Sequence, residues 1–258
     1  MLTFNYLRRR RSLESRVSKG LKEHKFYCLY QPFVDLQTGK VIGCEVLSRF
    51  EDEFGPIYPD EFIPQVKEQD MTWEFTVDMI TTAMKELNEN PDIPEGFKVS
   101  FNLFPFDFTR EGCLDLDFAL GMNDKNFKLV LEITEDEQIA THSAVKHIKS
   151  LKSKGFLFAI DDFGVGYSNL SQLKTLNCDF LKIDRSFVMD MEDNSIRSSL
   201  IPHIVSIAKG LNVELIAEGV ENAEQSKELK GLTIGFGQGW LFGKPQSASA
   251  LAKSVQDT

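Results

Sequence analysis

Five apolar runs in this chain each carry a carboxylate or carboxamide near their C-terminal end. The runs are residues 41–47, 99–104, 129–134, 157–163 and 213–220; the polar residues are Glu45, Asn102, Glu132, the pair Asp161-Asp162, and Glu218. One buried carboxylate is costly, and several brought together also repel one another. A lone acid is usually a helix cap or a surface salt bridge, but five at equivalent places need another reason. A divalent cation is the usual one. The pattern therefore predicts a fold that gathers strand ends at one point, with a metal site there.

The order of segments says which fold. After an N-terminal helix over about 9–23, strands at 26–34 and 41–50 flank the turn signal Gln37-Thr38-Gly39-Lys40. A connection this short makes an antiparallel hairpin, since a parallel pair needs a longer crossover. Helices are predicted at 59–68 and 72–89, the second ended by Pro91 and Pro94. Strands then alternate with helices: strand 97–103 and a helical region near 105–120, strand 127–133 and helix 141–154 stopped by Gly155, strand 156–161 and helix 168–175. The alternation continues with strand 179–184 and helix 195–210 stopped by Gly210, strand 212–217 and helix 222–230 capped by Asn222, then a last strand near 233–236 and helix 247–256. Regular alternation means a parallel sheet, and a count near eight strands in 258 residues favours an α/β barrel over an open sheet.

Composition narrows the function. A net charge of −10 and a pI near 5.0 argue against broad nucleic-acid binding, though bound metal would still let an anionic small ligand approach. Cys28, Cys44, Cys113 and Cys178 form no CxxC or zinc-like spacing, and read as separate buried thiols in a reducing cytosol. The four histidines form no HExxH and read as structural or surface residues. No apolar stretch reaches ~18 residues, so no segment reads as membrane-spanning. Phe4-Asn5-Tyr6-Leu7 followed by arginines 8–11 has the reverse order of a signal peptide. It reads either as the cytoplasmic flank of an upstream transmembrane helix or as the solvated start of a helix. Residues 1–24 are taken as a lead-in and 25–258 as the domain.

In a (β/α) barrel the active site forms at the C-terminal ends of the strands, where the acids fall. An oxygen-only donor set suits Mg²⁺ or Mn²⁺ better than Zn²⁺. Adjacent carboxylates such as Asp161-Asp162 can serve two cations, an arrangement typical of phosphoester hydrolysis. Lys182 and Asp184 lie two apart, on one strand face. Such a lysine either orients a water or phosphoryl oxygen in an acidic site or makes a buried ion pair with Asp184; the sequence leaves both open. The glycine loops at 164–166 and 235–243 contain no Walker A motif and read as tight turns.

These residues resemble the EAL domain family, phosphodiesterases of cyclic di-GMP. The resemblance runs from Tyr30-Gln31-Pro32-Phe33-Val34-Asp35 and Glu45-Val46-Leu47-Ser48-Arg49 through Pro59-Asp60-Glu61-Phe62-Ile63-Pro64 and Asn102-Leu103. It continues through Leu131-Glu132-Ile133-Thr134-Glu135, Asp161-Asp162-Phe163-Gly164 and Leu181-Lys182-Ile183-Asp184 to Ala217-Glu218-Gly219-Val220-Glu221 and Gln238-Gly239-Trp240-Leu241-Phe242. It spans about residues 20–250 and implies a modified (β/α)₈ barrel with one antiparallel strand, hydrolysing cyclic di-GMP to linear pGpG with two Mg²⁺ or Mn²⁺ ions. Carried over motif by motif, Glu45, Asn102, Glu132 and Asp161 would hold one ion, and Asp161, Asp162 and Glu218 the other. Lys182 would orient the attacking water, and Glu218 would be the candidate general base. Gln31, Leu47, Arg49, Asp184, Glu221 and Gln238 would face or support the substrate. Glu135 and Val165 would link the loop after Asp162 to the interface of a homodimer.

Two positions depart from the family pattern: Val46 stands for Ala in the signature, and Val165 for the usual Thr. The first is tolerable if the barrel wall has room. The second removes a hydroxyl and implies weakened or regulated turnover at most. The resemblance places the chain in the cytoplasm, or on the cytoplasmic face of the inner membrane behind an upstream sensor. A catalytically weak EAL domain acting as a cyclic di-GMP receptor is the first alternative, and an unrelated metal-dependent barrel the second.

Overall fold

The computed structural model describes residues 12–108, 116–134, 142–164, 170–191 and 198–258. Its centre is a closed barrel. Strands β1 (Phe26–Asp35), β2 (Val41–Asp52), β4 (Lys98–Asn102), β5 (Lys128–Thr134), β6 (Leu157–Phe163), β7 (Phe180–Ile183), β8 (Glu214–Ala217) and β9 (Phe236–Gln238) form it, while the short β3 (Gly55–Ile57) pairs only with the far end of β2. β1 runs antiparallel to both of its neighbours, β2 and β9, and closes the ring; the other barrel contacts are parallel.

The β1–β2 turn follows from its residues. The Asp35 carboxylate accepts the N–H groups of Gln37 and Thr38 at 2.8 Å, and Gly39 takes φ +75°, a conformation open to glycine without cost. A hairpin then follows at once.

Ten helices pack around the barrel among the described residues: α1 (Leu13–Lys22), α2 (Pro59–Glu68), α3 (Thr72–Glu89), α4 (Asp117–Gly121), α5 (His142–Ser153), α6 (Leu170–Leu176), α7 (Arg185–Met189), α8 (Ile201–Leu211), α9 (Ala223–Gly231) and α10 (Ala248–Gln256). α1 is docked rather than trailing. Val17 and Leu21 are buried, and Arg16 makes a two-pronged ion pair with Asp52 at the end of β2 (2.8 and 2.7 Å).

Strand alternation sorts the side chains. Leu129, Leu131 and Ile133 of β5, Phe158 and Ile160 of β6, and Leu181 and Ile183 of β7 join the large core beneath the helices. Their neighbours Val130, Ala159, Phe180 and Ile216 form a separate small cluster with Leu157 and Phe236, which plugs the barrel interior. The register places Phe33 opposite Gly43 on that same interior, and a Cβ on Gly43 would lie 2.1 Å from Phe33 Cζ. Gly43→Ala is therefore expected to overpack the barrel by about 1–3 kcal/mol, several degrees in a thermal melt. An unchanged melting temperature would mean the Phe33 ring moves aside freely.

Several boundaries differ from expectation. α8 does not stop at Gly210; it runs to Leu211 and ends on Asn212, which adopts the left-handed conformation (φ 56°) that asparagine tolerates. The last strand lies at Phe236–Gln238 rather than 233–236, because its partners are Ile216, Ala217 and the antiparallel β1. The region 105–120 contains a 3-10 turn (Pro105–Phe108) and the short α4. β3 and α7 were not anticipated. Asn222 does cap α9, in a reciprocal box with Gln225.

Candidate active site: an acidic centre around one lysine

The interior faces of β2, β5, β6, β7 and β8 change from apolar to charged toward their carboxyl ends. Above the small apolar plug sit Glu45, Glu132, Asp161, Lys182 and Glu218. Lys182 is 1 % exposed, and its Nζ lies 2.7 Å from Glu132, 2.7 Å from Glu218, 3.0 Å from Asp161 and 3.4 Å from Glu45. Its partners are thus four carboxylates from four other strands or strand ends. Asp184, the ion-pair partner that the sequence left open, lies past the end of β7, where its carboxylate caps α7 by accepting the Ser186 N–H at 3.0 Å. A strand of only four residues ends before Asp184 can share the inward face of Lys182.

Asp161 and Asp162 are adjacent, so in a regular strand they would point to opposite faces. The structure resolves this with a β-bulge. Pairing with β7 slips by one residue between Ile160 and Phe163, and Asp162 takes φ +54°. The extra residue lets Asp161 face the interior and Phe163 return to the outer core, while Asp162 stays half-buried beside the site.

Carboxylate oxygens of Glu45, Glu132 and Asp161 lie within 4.8 Å of one another, and so do those of Asp161, Asp162 and Glu218. Asp161 belongs to both groups. Asn102 donates its amide N–H to Glu45 at 2.7 Å, which directs its carbonyl oxygen, a hard donor, elsewhere. Gln238 donates to the other Glu45 oxygen, also at 2.7 Å. The donor set is all oxygen, buried and overloaded with negative charge, which fits divalent cations.

Protonation follows the same crowding. Burial pushes the Glu218 carboxyl up to about 8, reinforced by Asp161 and Glu45 against the opposing pull of Lys182. Burial likewise raises Asp162 to about 6, with Asp161 and Asp184 adding to it. Glu132 moves well upward, again chiefly through burial. Glu45 goes the other way. Burial opposes its charge, but Lys182 and the hydrogen bonds from Gln238 and Asn102 together outweigh it.

Two cavities are lined by residues picked out in the sequence. A cleft of about 220 Å³ is lined by Glu45, Asp161, Lys182 and Glu218 and by Gln31, Glu221, Gln238, Arg185 and Trp240. A second cavity, about 250 Å³ and mostly apolar, lies between β2 and α2–α3; Leu47, Arg49 and Asn102 are among the residues that line it. Of the residues picked out in the sequence, Glu135 and Val165 lie outside the described residues, as does Cys113; Cys28, Cys44 and Cys178 are buried thiols. Arg185 was missed; it directly follows Asp184, the end of a motif singled out in the sequence, which was the available signal. Trp240 stood inside the motif Gln238–Phe242 but was given no role there. No helix among the described residues is long and apolar enough to cross a membrane.

Fold and site together define a barrel protein with a buried acidic centre at its carboxyl mouth. The EAL domain model matches residues 14–245, and the chain belongs to that family. It is 36% identical over 236 residues to cyclic di-GMP phosphodiesterase PdeL of Escherichia coli strain K12, covering 89% of this chain and 65% of that protein. It is 31% identical to the probable cyclic di-GMP phosphodiesterase PdeG of the same strain, covering 97% of this chain and 50% of PdeG. The chain thus spans about half to two thirds of these relatives. Among solved structures, the PaMucR phosphodiesterase in complex with c-di-GMP superposes with a TM-score of 0.81 at 29% identity, covering 93% of this chain and 99% of that one. The EAL enzyme Bd1971 with cAMP and cyclic di-GMP bound gives 0.84 at 28% identity, covering 99% and 70%.

Proposed function

We propose that this chain hydrolyses one phosphodiester of cyclic di-GMP, giving linear pGpG, with two Mg²⁺ or Mn²⁺ ions. The observation that carries the reading is the pair of carboxylate groups sharing Asp161 at the mouth of an EAL barrel. Five carboxylates and one ammonium leave a charge of −4 when fully ionised, which two divalent cations cancel. Glu45, Asn102, Glu132 and Asp161 would hold one ion; Asp161, Asp162 and Glu218 the other. Bound there, the ions supply activation of a water and neutralisation of phosphoryl charge.

The chain's own residues do the rest. Lys182 fixes the spacing of the four carboxylates it touches and orients the water. Glu218, at the rim of the cluster and 18 % exposed, accepts the water's proton. The water oxygen bonds to phosphorus, the bond to the 3′ oxygen breaks, and that oxygen takes a proton from solvent and leaves as a hydroxyl, while Glu218 releases the proton it took from the water. Gln31 and Glu221 face substrate in the cleft, and Leu47 and Arg49 in the second cavity. Gln238 acts through Glu45, and Asp184 stands behind Asp162. Glu135 and Val165 couple the loop after β6 to a homodimer interface. The setting is the cytoplasm or the cytoplasmic face of the inner membrane.

The test is chromatography of cyclic di-GMP incubated with protein and Mn²⁺, beside Glu45→Ala. The expected result is pGpG from the wild type and none above background from the variant. Saturable binding without conversion would replace the enzyme by a receptor, and neither binding nor conversion would end the proposal.

A further inference from the structure

Arg185 has no role in the mechanism above, yet it lines the cleft of the acidic centre. It is the first residue of α7, just past the strand that carries Lys182. Among the described residues these two are the cations of the cleft, and they are used differently. Lys182 is committed to four carboxylates. Arg185 is exposed, and its guanidinium makes no ion pair within 4 Å among the described residues, although Glu218 and Glu221 line the same cleft.

Its base is fixed even so. The loop after β8 passes directly beside it: a Cβ on Gly219 would lie 2.5 Å from Arg185 Cβ and 3.2 Å from its Cα, and Gly219 takes φ +67°. Only glycine allows both that conformation and that approach. The backbone is held from the other side, where Asp184 accepts the Ser186 N–H at 3.0 Å on its carboxylate and the Phe187 N–H at 3.1 Å on its carbonyl. The side chain thus leaves an anchored stem next to the Glu218–Glu221 loop, with a charged head that no protein carboxylate holds. Arg49, the arginine picked out in the sequence, is placed differently. It donates to Ser48 O at 2.8 Å and lines the apolar cavity, not the cleft.

Cyclic di-GMP carries two phosphodiesters, each with one negative charge. The five carboxylates, Lys182 and two divalent cations sum to zero and address the phosphate that is cut. The other phosphate meets the remaining acid of the cleft, Glu221, which repels it. We propose that Arg185 binds the phosphodiester that is not cut, and so selects a dinucleotide with two charged linkages over one with a single charge. A planar guanidinium can offer paired N–H donors to two phosphate oxygens at once. The inference deepens the cyclic di-GMP reading and rests on it.

Calorimetric titration with Ca²⁺ in place of the catalytic metal measures binding apart from turnover. Arg185→Met is expected to weaken cyclic di-GMP binding about ten- to a hundred-fold, the range for a hydrogen bond to a charged group. Arg185→Lys should restore part of it, as a point charge without the fork. The second ligand is the same macrocycle with one phosphodiester replaced by a neutral methylphosphonate. Its charged linkage goes to the metal centre, so wild type and Arg185→Met should bind it alike. In turnover assays with Mn²⁺, Arg185→Met should raise KM for cyclic di-GMP with little change in kcat. Equal affinity of Arg185→Met and wild type for cyclic di-GMP, beside normal turnover, would overturn the inference and leave the phosphodiesterase standing. An equal loss for both ligands would overturn it too, because Arg185 would then only shape the cleft. A loss confined to the doubly charged ligand, in a protein that never cuts it, would sink the enzyme reading and keep the arginine contact. No binding to the wild type would end both.

Discussion

Lys182→Ala is expected to cost the metal-free protein about 3–5 kcal/mol, as when one partner of a buried ion pair is removed. For a chain of this size that is roughly 10 °C or more in a thermal melt with chelator present. Lys182 is the only cation within 4 Å of Glu45, Glu132, Asp161 and Glu218 among the described residues. Without it those carboxylates face one another across a buried space, and each must take up a proton or repel the rest. Lys182→Met keeps the length and apolar stem of the side chain, so a similar loss there would identify charge rather than volume as the cause. Excess Mn²⁺ should return part of the lost stability, because cations take over the neutralisation. Melting of Lys182→Met at the wild-type temperature in chelator would show that the carboxylates neutralise themselves at no cost, and the account of the cluster would be wrong.

The same lysine shows how much the sequence disclosed. The barrel was legible because the strand–helix alternation is regular from 97 onward, and because the hairpin turn Gln37–Lys40 is too short for a parallel crossover. The acids were legible because each interrupts an apolar run at the same relative place. The bulge at Asp161-Asp162 was not. A period of two puts neighbouring carboxylates on opposite faces, and only the slipped pairing with β7 and the positive φ of Asp162 bring both to the site. Asp184 misled for the opposite reason: its spacing from Lys182 fits one strand face, but β7 ends at Ile183 and the side chain caps a helix instead. The helix stop at Gly210 failed because asparagine two residues later can also adopt the left-handed turn. Trp240 had no signal in periodicity at all, since its position depends on the loop from β9 folding back on Val220.

Stability of the metal-free protein is expected to fall as pH rises from about 5.5 to 8, and bound metal should reverse that trend. Glu218 moves from an ordinary 4.5 up to about 8 and Asp162 from 3.8 up to about 6, both chiefly through burial; Glu132 moves in the same direction. An acid with a raised folded-state pKa binds its proton more tightly when folded. Its contribution is fully present below the unfolded value and is lost as pH climbs through the folded one. For these groups the window runs from about pH 4 to about 8. Lys182 is raised, so it keeps its proton in both states throughout that window. Glu45 is lowered, so its stabilisation is lost only as pH falls below the ordinary carboxylate range and adds no slope above pH 5.5. At roughly 1.4 kcal/mol per pKa unit the net loss amounts to several kcal/mol. Metal requires these same carboxylates without their protons, so saturating Mn²⁺ should make the protein more stable at pH 8 than at pH 5.5. Glu218→Gln tests whether this site is the source of the trend. It should flatten the decline in chelator, and an undiminished slope in that variant would move the pH sensitivity away from the acidic centre.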